Sequence, residues 1–290
     1  MVARQWRRFS LPSPATLPEH TPTPALSASL QRIGGMVLRY LYLLKNSWPR
    51  FIEALFWPFL NLIMWGLLSK FLSETTQSIA LPFSFLIGAA ILWEIVLRGS
   101  MATMMPLLEE VWSRTLGNLF ISPLRPYEFV LGLMTISIIR LVTALIPCVI
   151  IAWMFFDYRV WDLGAPLIFF VANLIITGWW MGLMVSCLLV RYGQAVEWIM
   201  WMVVFIIQPF VCVFYPLETL PAFLHPISLA LPPTHVFEGM RDILLNQQVN
   251  ATHMLAAFGL NIVYLAAAIA FFLRSLYVTR RGQGLFSYAE

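Results

Sequence analysis

The chain has 290 residues, of which 60% are hydrophobic and only 11% are charged, and its mean hydropathy is +0.79. So few charged residues could not cover a water-soluble fold of this length, which excludes an ordinary soluble domain and predicts a membrane protein. The formal net charge of +4 is too small to indicate a nucleic-acid partner, and we interpret the basic residues as markers of membrane topology.

The amino-terminal region divides into a tail and an amphipathic segment. Residues 1–28 are rich in proline and predict a flexible tail. Residues 29–49 predict a helix that lies in the membrane interface, with Arg32 and Arg39 on its polar stripe near lipid phosphates. The alternative is that this segment forms the first turns of a long span. The apolar stripe of the predicted helix contains Leu30, Ile33, Val37, Leu41, Leu44 and Trp48.

Six later stretches are each apolar over the roughly 20 residues that a helix needs to cross a bilayer. They are residues 51–72, 79–98, 127–156, 163–190, 195–217 and 253–276. The pattern predicts an all-α membrane protein with a six-span domain over residues 50–278 and a short tail over residues 279–290. An even number of spans places both termini on the same side.

The basic residues assign that side. Fourteen Lys and Arg residues lie in or beside the tails and the second and fourth loops, whereas Lys70, Arg159 and Arg241 lie on the other side and Arg140 lies inside a span. Because loops rich in Lys and Arg stay in the cytoplasm, we expect both termini to be cytoplasmic and the protein to lie in the cell (inner) membrane, in contact with its lipids.

Two connections are too long to be simple turns. The second loop, residues 99–126, predicts a short cytoplasmic helix that begins at Pro106. The outer connection, residues 216–252, is too apolar for a solvated loop and too rich in proline for a span, so we expect short helices that dip into the outer leaflet. In this connection His235, Glu238 and Asp242 could share one helix face, which we interpret as a solvated or capped helix.

Several polar residues fall within the predicted spans. Arg140 either snorkels towards the interface or serves the transport path or an acidic neighbour, because a central arginine is expensive in lipid. Glu94 and Arg98 are spaced to pair on one helix face. The spacing of Gly178 and Gly182 predicts close helix packing. Four amides are expected to bond across helices: Asn61, Asn173, Gln208 and Asn261.

Motifs for enzymatic chemistry are missing from the sequence. Neither lysine, Lys45 or Lys70, follows the glycine-rich phosphate cradle of an ATPase, and the four histidines lack the spacing of metal ligands. We therefore expect no catalytic residue, no metal and no cofactor bound by this chain.

Two segments resemble type-2 ATP-binding-cassette (ABC) exporter permeases. The second loop, EEVWSRTLGNLFISPLRPYEFVLG, is similar to the loop that enters the third span of that family, and residues 216–221 and 232–244 match the region before the last span. With the amphipathic helix and the spans, the resemblance covers residues 30–278. The residues that carry the motif of the loop are Ser122, Pro123, Leu124, Pro126, Glu128 and Gly132.

This resemblance implies a permease that forms a homodimer or a heterodimer with a second permease and works with a cytoplasmic ABC ATPase, which binds ATP and magnesium. The candidate residues for coupling to the ATPase are Glu109, Glu110, Arg114 and Gly117. Without the resemblance, the second loop would be a solvated helix with no partner. The alternatives are an ATP-independent channel or carrier, for which Glu94 is the candidate coupling acid, and a membrane-embedded enzyme.

Overall fold

The computed structural model describes residues 25–45, 48–75, 83–113, 125–246 and 248–281. The regular elements within these ranges are all helical, which confirms the predicted all-α class. The α-helices are α1 (Ala25–Lys45), α2 (Trp48–Thr75), α3 (Phe83–Trp112), α4 (Pro126–Phe156), α5 (Pro166–Tyr192), α6 (Glu197–Phe210), α7 (His225–Ala230), α8 (Pro232–Asn246) and α9 (Ala251–Arg281).

Helix α3 is the centre of the bundle. Most of its span is buried, whereas less than a quarter of the spans of α2, α4 and α9 is buried, as expected for helices at the periphery of a membrane bundle. Its closest neighbour is α5, because Gly99 of α3 meets Gly178 of α5. A Cβ atom on Gly178 would lie 2.9 Å from the Cα of Gly99, and one on Gly182 would lie 2.7 Å from the carbonyl oxygen of Ser100. The predicted packing role of these glycines is confirmed.

Five helices within the described ranges are long and apolar enough to cross a membrane, and they correspond to five of the six predicted spans. The predicted span over residues 195–217 differs. Its helix, α6, has 14 residues, about 21 Å at 1.5 Å per residue, which is shorter than a bilayer core. The helix stops because Pro209 lies in its last turn and Cys212 takes a left-handed conformation with φ of 58°.

The predicted helix start at Pro106 is wrong. Helix α3 continues through Pro106 to Trp112, so Arg98, Glu109 and Glu110 lie on one continuous helix. Proline removes one backbone hydrogen bond, but the turns around it are held by the complete burial of Met104, Leu107 and Leu108. Arg98, expected at the edge of the second loop, therefore lies near the middle of α3.

The chain after α6 forms short helices, as predicted for the outer connection. Two single 3₁₀ turns, Leu217–Thr219 and Ala222–Leu224, lead into α7 and then into the longer α8. Helix α8 packs against α9 and α5. Among the predicted tails, residues 1–24 and 282–290 lie outside the described ranges.

The glycine contact between α3 and α5 can be tested with a single methyl group. We expect Gly178→Ala to destabilise the protein by about 1–3 kcal/mol, because the new methyl group would meet backbone atoms that cannot move aside. The matched control is Gly259→Ala on α9, where nothing lies within 4 Å of the new methyl group. Thermal unfolding in a maltoside detergent measures both, and equal melting temperatures for the two variants would contradict the close packing.

Candidate functional site

The carboxylate of Glu128 anchors the first turn of α4. Pro126 begins this helix, and Glu128, its third residue, is fully buried. One carboxylate oxygen accepts the backbone N–H of Arg125 at 2.9 Å, which satisfies a donor that the start of a helix leaves free. The glutamate of the family-like turn therefore has a local structural role. Ser122, Pro123 and Leu124 of the same turn lie outside the described residues.

The same carboxylate also holds α1. Arg32 of α1 donates from Nε to Oε2 of Glu128 at 2.9 Å and from Nη2 to Oε1 at 2.5 Å, and the hydroxyl of Ser29 donates to Oε1 at 2.7 Å. The hydrogen bond to Glu128 raises the pKa of Arg32, so the guanidinium is charged throughout the physiological range. Arg32, predicted to lie near lipid phosphates, instead has a carboxylate partner within the protein.

A second ion pair lies further along α1. Arg39 contacts the buried carboxylate of Glu110 on α3 at 2.7 Å, and the hydroxyl of Tyr40 donates to the same carboxylate at 3.3 Å. The ring of Tyr40 is almost completely buried, and this burial raises the pKa of its hydroxyl, which keeps the hydroxyl a donor. Glu110 was expected to face an ATPase, but the residue is only 2% exposed and its carboxylate is bonded to α1.

These two ion pairs attach α1 to both helices that flank the second loop. Glu110 lies in the last turn of α3 and Glu128 in the first turn of α4, the two described helix ends that precede and follow the predicted second loop. We call the two pairs, Arg32–Glu128 and Arg39–Glu110, the α1 strap. At the same end of the bundle, the indole N–H of Trp112 donates to Glu197 at the start of α6 at 3.2 Å.

The remaining coupling candidates are distributed as follows. Glu109 is half-buried beside Glu110 at the end of α3. Arg114 and Gly117 lie outside the described residues, so their predicted role stays a prediction. Sequence reasoning missed the two arginines of α1 as partners of Glu110 and Glu128. The sequence does show that these arginines recur on one stripe of an amphipathic helix, but we interpreted that stripe as a surface that faces lipid phosphates.

A polar cluster lies in the middle of α3. The Nε of Arg98 donates to Oε2 of Glu94 at 3.2 Å, which confirms the pair expected from the spacing. The other oxygen of Glu94 accepts from the side-chain amide of Asn61 on α2 at 3.1 Å. The cluster therefore joins two helices, and both carboxylate oxygens of Glu94 have a protein donor.

A second buried cluster joins α5 to α9. The amide nitrogen of Asn261 donates to the side-chain oxygen of Asn173 at 3.0 Å, and its oxygen accepts from Thr177 at 3.0 Å and from the indole of Trp180 at 3.1 Å. The predicted interhelical bonds of Asn61, Asn173 and Asn261 are confirmed, whereas none is found for Gln208 among the described residues. Arg140 is half-buried near the middle of α4, which leaves its predicted roles open.

Arg241 organises the turn that follows α6. Its side chain is buried, bridges to Glu238 at 2.5 Å, and donates to the carbonyl oxygens of Cys212 and Tyr215 at 3.2 and 2.9 Å. Glu238 in turn accepts the backbone N–H of Leu217 at 2.9 Å. An ion pair on α8 therefore holds the chain where α6 stops, a role that sequence reasoning missed because Arg241 was treated only as a marker of topology.

A histidine pair connects α8 to α9. The Nε2 of His235 lies 2.9 Å from the carbonyl oxygen of Leu229, and its Nδ1 lies 3.1 Å from the Nδ1 of His253. When Nε2 donates to that carbonyl, Nδ1 has a free lone pair and accepts a hydrogen bond from the Nδ1–H of His253. Burial lowers the pKa of His235, which favours this neutral form. Asp242 on the same face accepts a hydrogen bond from the side-chain amide of Asn250 at 3.2 Å. All three polar side chains of this face, His235, Glu238 and Asp242, therefore have partners within the protein, which corrects the expectation of a solvated helix.

No cluster of three or more His, Cys, Asp or Glu side chains that could hold a metal ion is found among the described residues.

Long apolar helices with polar clusters buried between them define an integral membrane protein. Residues 68–274 match the family described as "ABC-2 family transporter protein". The match covers well over half of the chain, and the protein belongs to this family. No curated protein matches the chain. The protein is therefore the membrane subunit, or permease, of an ABC transporter, and the family implies association with an ATPase subunit.

The Arg32–Glu128 contact allows a test by exchange of charges. We expect Arg32→Glu to release α1 and to raise amide hydrogen exchange in both α1 and the first turn of α4, because Glu128 would then be buried without a cation. The double variant Arg32→Glu with Glu128→Arg should restore much of the protection. Gln31→Glu, an exposed change on the same helix, is the control. Unchanged exchange in the Arg32→Glu variant would show that the pair does not hold α1.

Proposed function

We propose that this permease exports its substrate across the cell membrane and is driven by ATP hydrolysis in a separate cytoplasmic ATPase subunit. Two copies, or one copy with a related permease, would form the pathway. Membership of the ABC-2 family supports a transport role, and the lack of a phosphate-binding motif in this chain supports a separate motor.

The observation that carries the coupling part of this proposal is the α1 strap. A motor that binds the second loop and α1 would act on the end of α3 and the start of α4 together, because both are tied to α1 through buried carboxylates. Breaking either pair would leave a buried charge without a partner, so the three helices should move as a unit. Since α3 is the centre of the bundle, movement at the loop would reach the middle of the membrane.

The direction of such movement depends on the ATPase. ATP binding can shift the permease only if the motor contacts its two conformations with different free energies. In the proposed mechanism the strap transmits the force, and closure of the ATPase pair supplies the difference. ATP and magnesium would stay in the motor.

The polar cluster disfavours an ATP-independent carrier. In such a carrier Glu94 would have to release and rebind a coupling ion. In the structure both of its oxygens are occupied, one by Asn61 and one by Arg98. A carboxylate held in this way is suited to a fixed ion pair, and this supports a permease driven from outside the membrane.

The decisive experiment is capture of the motor. We expect the full chain, purified from its native membranes in a mild maltoside detergent, to retain an ATPase subunit, and the complex to hydrolyse ATP in proteoliposomes. Glu110→Gln should lower the amount of captured ATPase several-fold, because it weakens the contact between α3 and α1. Glu74→Gln, at the exposed end of α2, is the matched control.

Two results would count against the proposal. Transport by the purified chain alone, with no nucleotide consumed, would remove the need for a motor. Capture of the ATPase by Glu110→Gln at the level of the control would mean that the strap does not support the docking surface.

Labelling of single cysteines tests the proposed topology. Phe223 in the connection before α7 and Arg125 at the start of α4 are exposed, and the native Cys148 and Cys212 are buried. In intact cells we expect Phe223→Cys to react with a membrane-impermeant maleimide, and Arg125→Cys to react only after permeabilisation. The reverse pattern would place the second loop outside and would overturn the assignment of the motor to that side.

A further inference from the structure

Two histidines join the first turns of α8 and α9. The Nδ1 atoms of His235 and His253 are 3.1 Å apart, and the Nε2 of His235 lies 2.9 Å from the carbonyl oxygen of Leu229. The ring of His235 is largely buried, because the residue is only 9% exposed. We call these two side chains and the carbonyl group of Leu229 the histidine clasp.

The two rings are aligned for a hydrogen bond between them. Their centroids are 5.4 Å apart, which is the separation of the two Nδ1 atoms plus about one imidazole ring width. Both nitrogens therefore lie near the line between the rings, as an N–H···N hydrogen bond prefers. Two ligands of one metal ion would instead point to a common position beside that line. The geometry identifies the clasp as a place where protons are held.

The contacts fix the position of each proton. A carbonyl oxygen can only accept, so the Nε2 of His235 carries a hydrogen and its Nδ1 has a lone pair. That lone pair accepts from the Nδ1–H of His253. The Nε2 of His253 then also has a lone pair, which meets no donor among the described residues. An added proton therefore has two possible positions, one outside the contact on His253 and one inside it on His235.

These two positions differ in their effect on the clasp. A proton on the Nε2 of His253 leaves the hydrogen bond in place, because a charged imidazole is a strong donor to a neutral acceptor. A proton on the Nδ1 of His235 would make two N–H groups face each other and would bring two positive charges together. The clasp must therefore open before His235 can take up a second proton.

The surroundings of His235 offer little compensation for a positive charge. Glu238 on the same helix is the acid that acts on it, but this carboxylate is already paired with Arg241. Apart from His253, the first thirds of α5 and α9 contain no charged or titratable residue. Other titratable groups on α8 and on the elements in contact with it have partners elsewhere or are exposed: His225 contacts the carbonyl oxygen of Leu220, Asp242 accepts from Asn250, Glu94 pairs with Arg98, and Asp162 is exposed.

We propose that the histidine clasp is an acid-sensitive contact, which holds the start of α8 to α9 at neutral pH and opens in acid. Helix α8 also carries Glu238 and Arg241, which hold the chain where α6 stops. Opening of the clasp would therefore loosen the helix that anchors the outer connection. With this connection on the outer side, as proposed above, the clasp would respond to the pH outside the cell.

The direction of the pH dependence follows from the two states of His235. In the open state its pKa would have the ordinary value of about 6.5, whereas burial lowers the pKa in the closed state. The open state therefore binds the proton more readily. The closed state has its full stability above a pH of about 6.5, and below that value acid shifts the equilibrium towards the open state by at most about tenfold per pH unit.

Amide hydrogen exchange of the full chain in neutral maltoside detergent tests the clasp. Exchange is measured at about pH 7.5 and about pH 5, on either side of the ordinary pKa of histidine, and each rate is compared with that of an unstructured peptide at the same pH. We expect the protection of the first turns of α8 and α9 in the wild type to fall several-fold in acid. His225→Gln, which changes a histidine outside the clasp, is the matched control and should lose protection in the same way.

Glutamine variants separate titration from other effects of acid. In His235→Gln the amide nitrogen can donate to Leu229 and the amide oxygen can accept from His253, so protection should change little between the two pH values. His253→Gln should behave similarly, because a glutamine amide can donate to a neutral His235 or accept from a charged one. Circular dichroism and gel filtration establish that each variant is folded.

Nitrogen-15 NMR of the histidine-labelled wild type gives a measurement that needs no variant. It should show His235 with its proton on Nε2 at neutral pH, and a proton on Nδ1 at neutral pH would overturn the inference. Equal protection of the wild type at both pH values, or equal acid sensitivity of the wild type and both glutamine variants, would also overturn it. None of these results depends on capture of an ATPase.

Discussion

The burial of two carboxylates at one end of the bundle is the constraint on which the arrangement of the helices depends. Glu110 and Glu128 lie at the two sides of the second loop, and neither could stay ionised in an apolar environment without a partner. Arg39 and Arg32 supply the partners, and both arginines belong to α1. The amphipathic helix α1 is therefore held to the rest of the protein by two ion pairs, and its position does not depend on contact with lipid alone.

The same principle recurs elsewhere in the bundle. Glu94 is neutralised by Arg98 and tied to α2 by Asn61, and Glu238 is neutralised by Arg241 where α6 stops. Each cluster brings a charged pair to a point where two segments meet. An unsatisfied polar group is expensive in an apolar environment, so each cluster favours the one helix alignment in which its polar groups are paired. Apolar contacts alone would discriminate less between alternative alignments. The Arg98 cluster differs from the others in that part of its guanidinium stays accessible.

The central position of α3 connects the proposed motor surface to the Glu94–Arg98 cluster. One helix carries Glu110 at its end and Arg98 near its middle, and it packs through Gly99 directly against the backbone of α5. A tightly packed helix transmits a displacement instead of absorbing it, because there is little free volume at the contact. Force on the strap would thus change the surroundings of Arg98 without requiring a separate path of contacts.

The sequence by itself determined the membrane class, the helical fold, five of the long spans and the local pairs, since these follow from composition, from periodicity and from spacings of four residues. The Glu94–Arg98 pair and the Gly178–Gly182 contact are of this kind. Only the tertiary structure decided that α3 continues through Pro106, that α6 is short, and that Arg32 and Tyr40 meet carboxylates 96 and 70 residues away. The reason is physical: no periodic rule links residues on different helices, and burial against neighbouring helices outweighs the local preference of a proline.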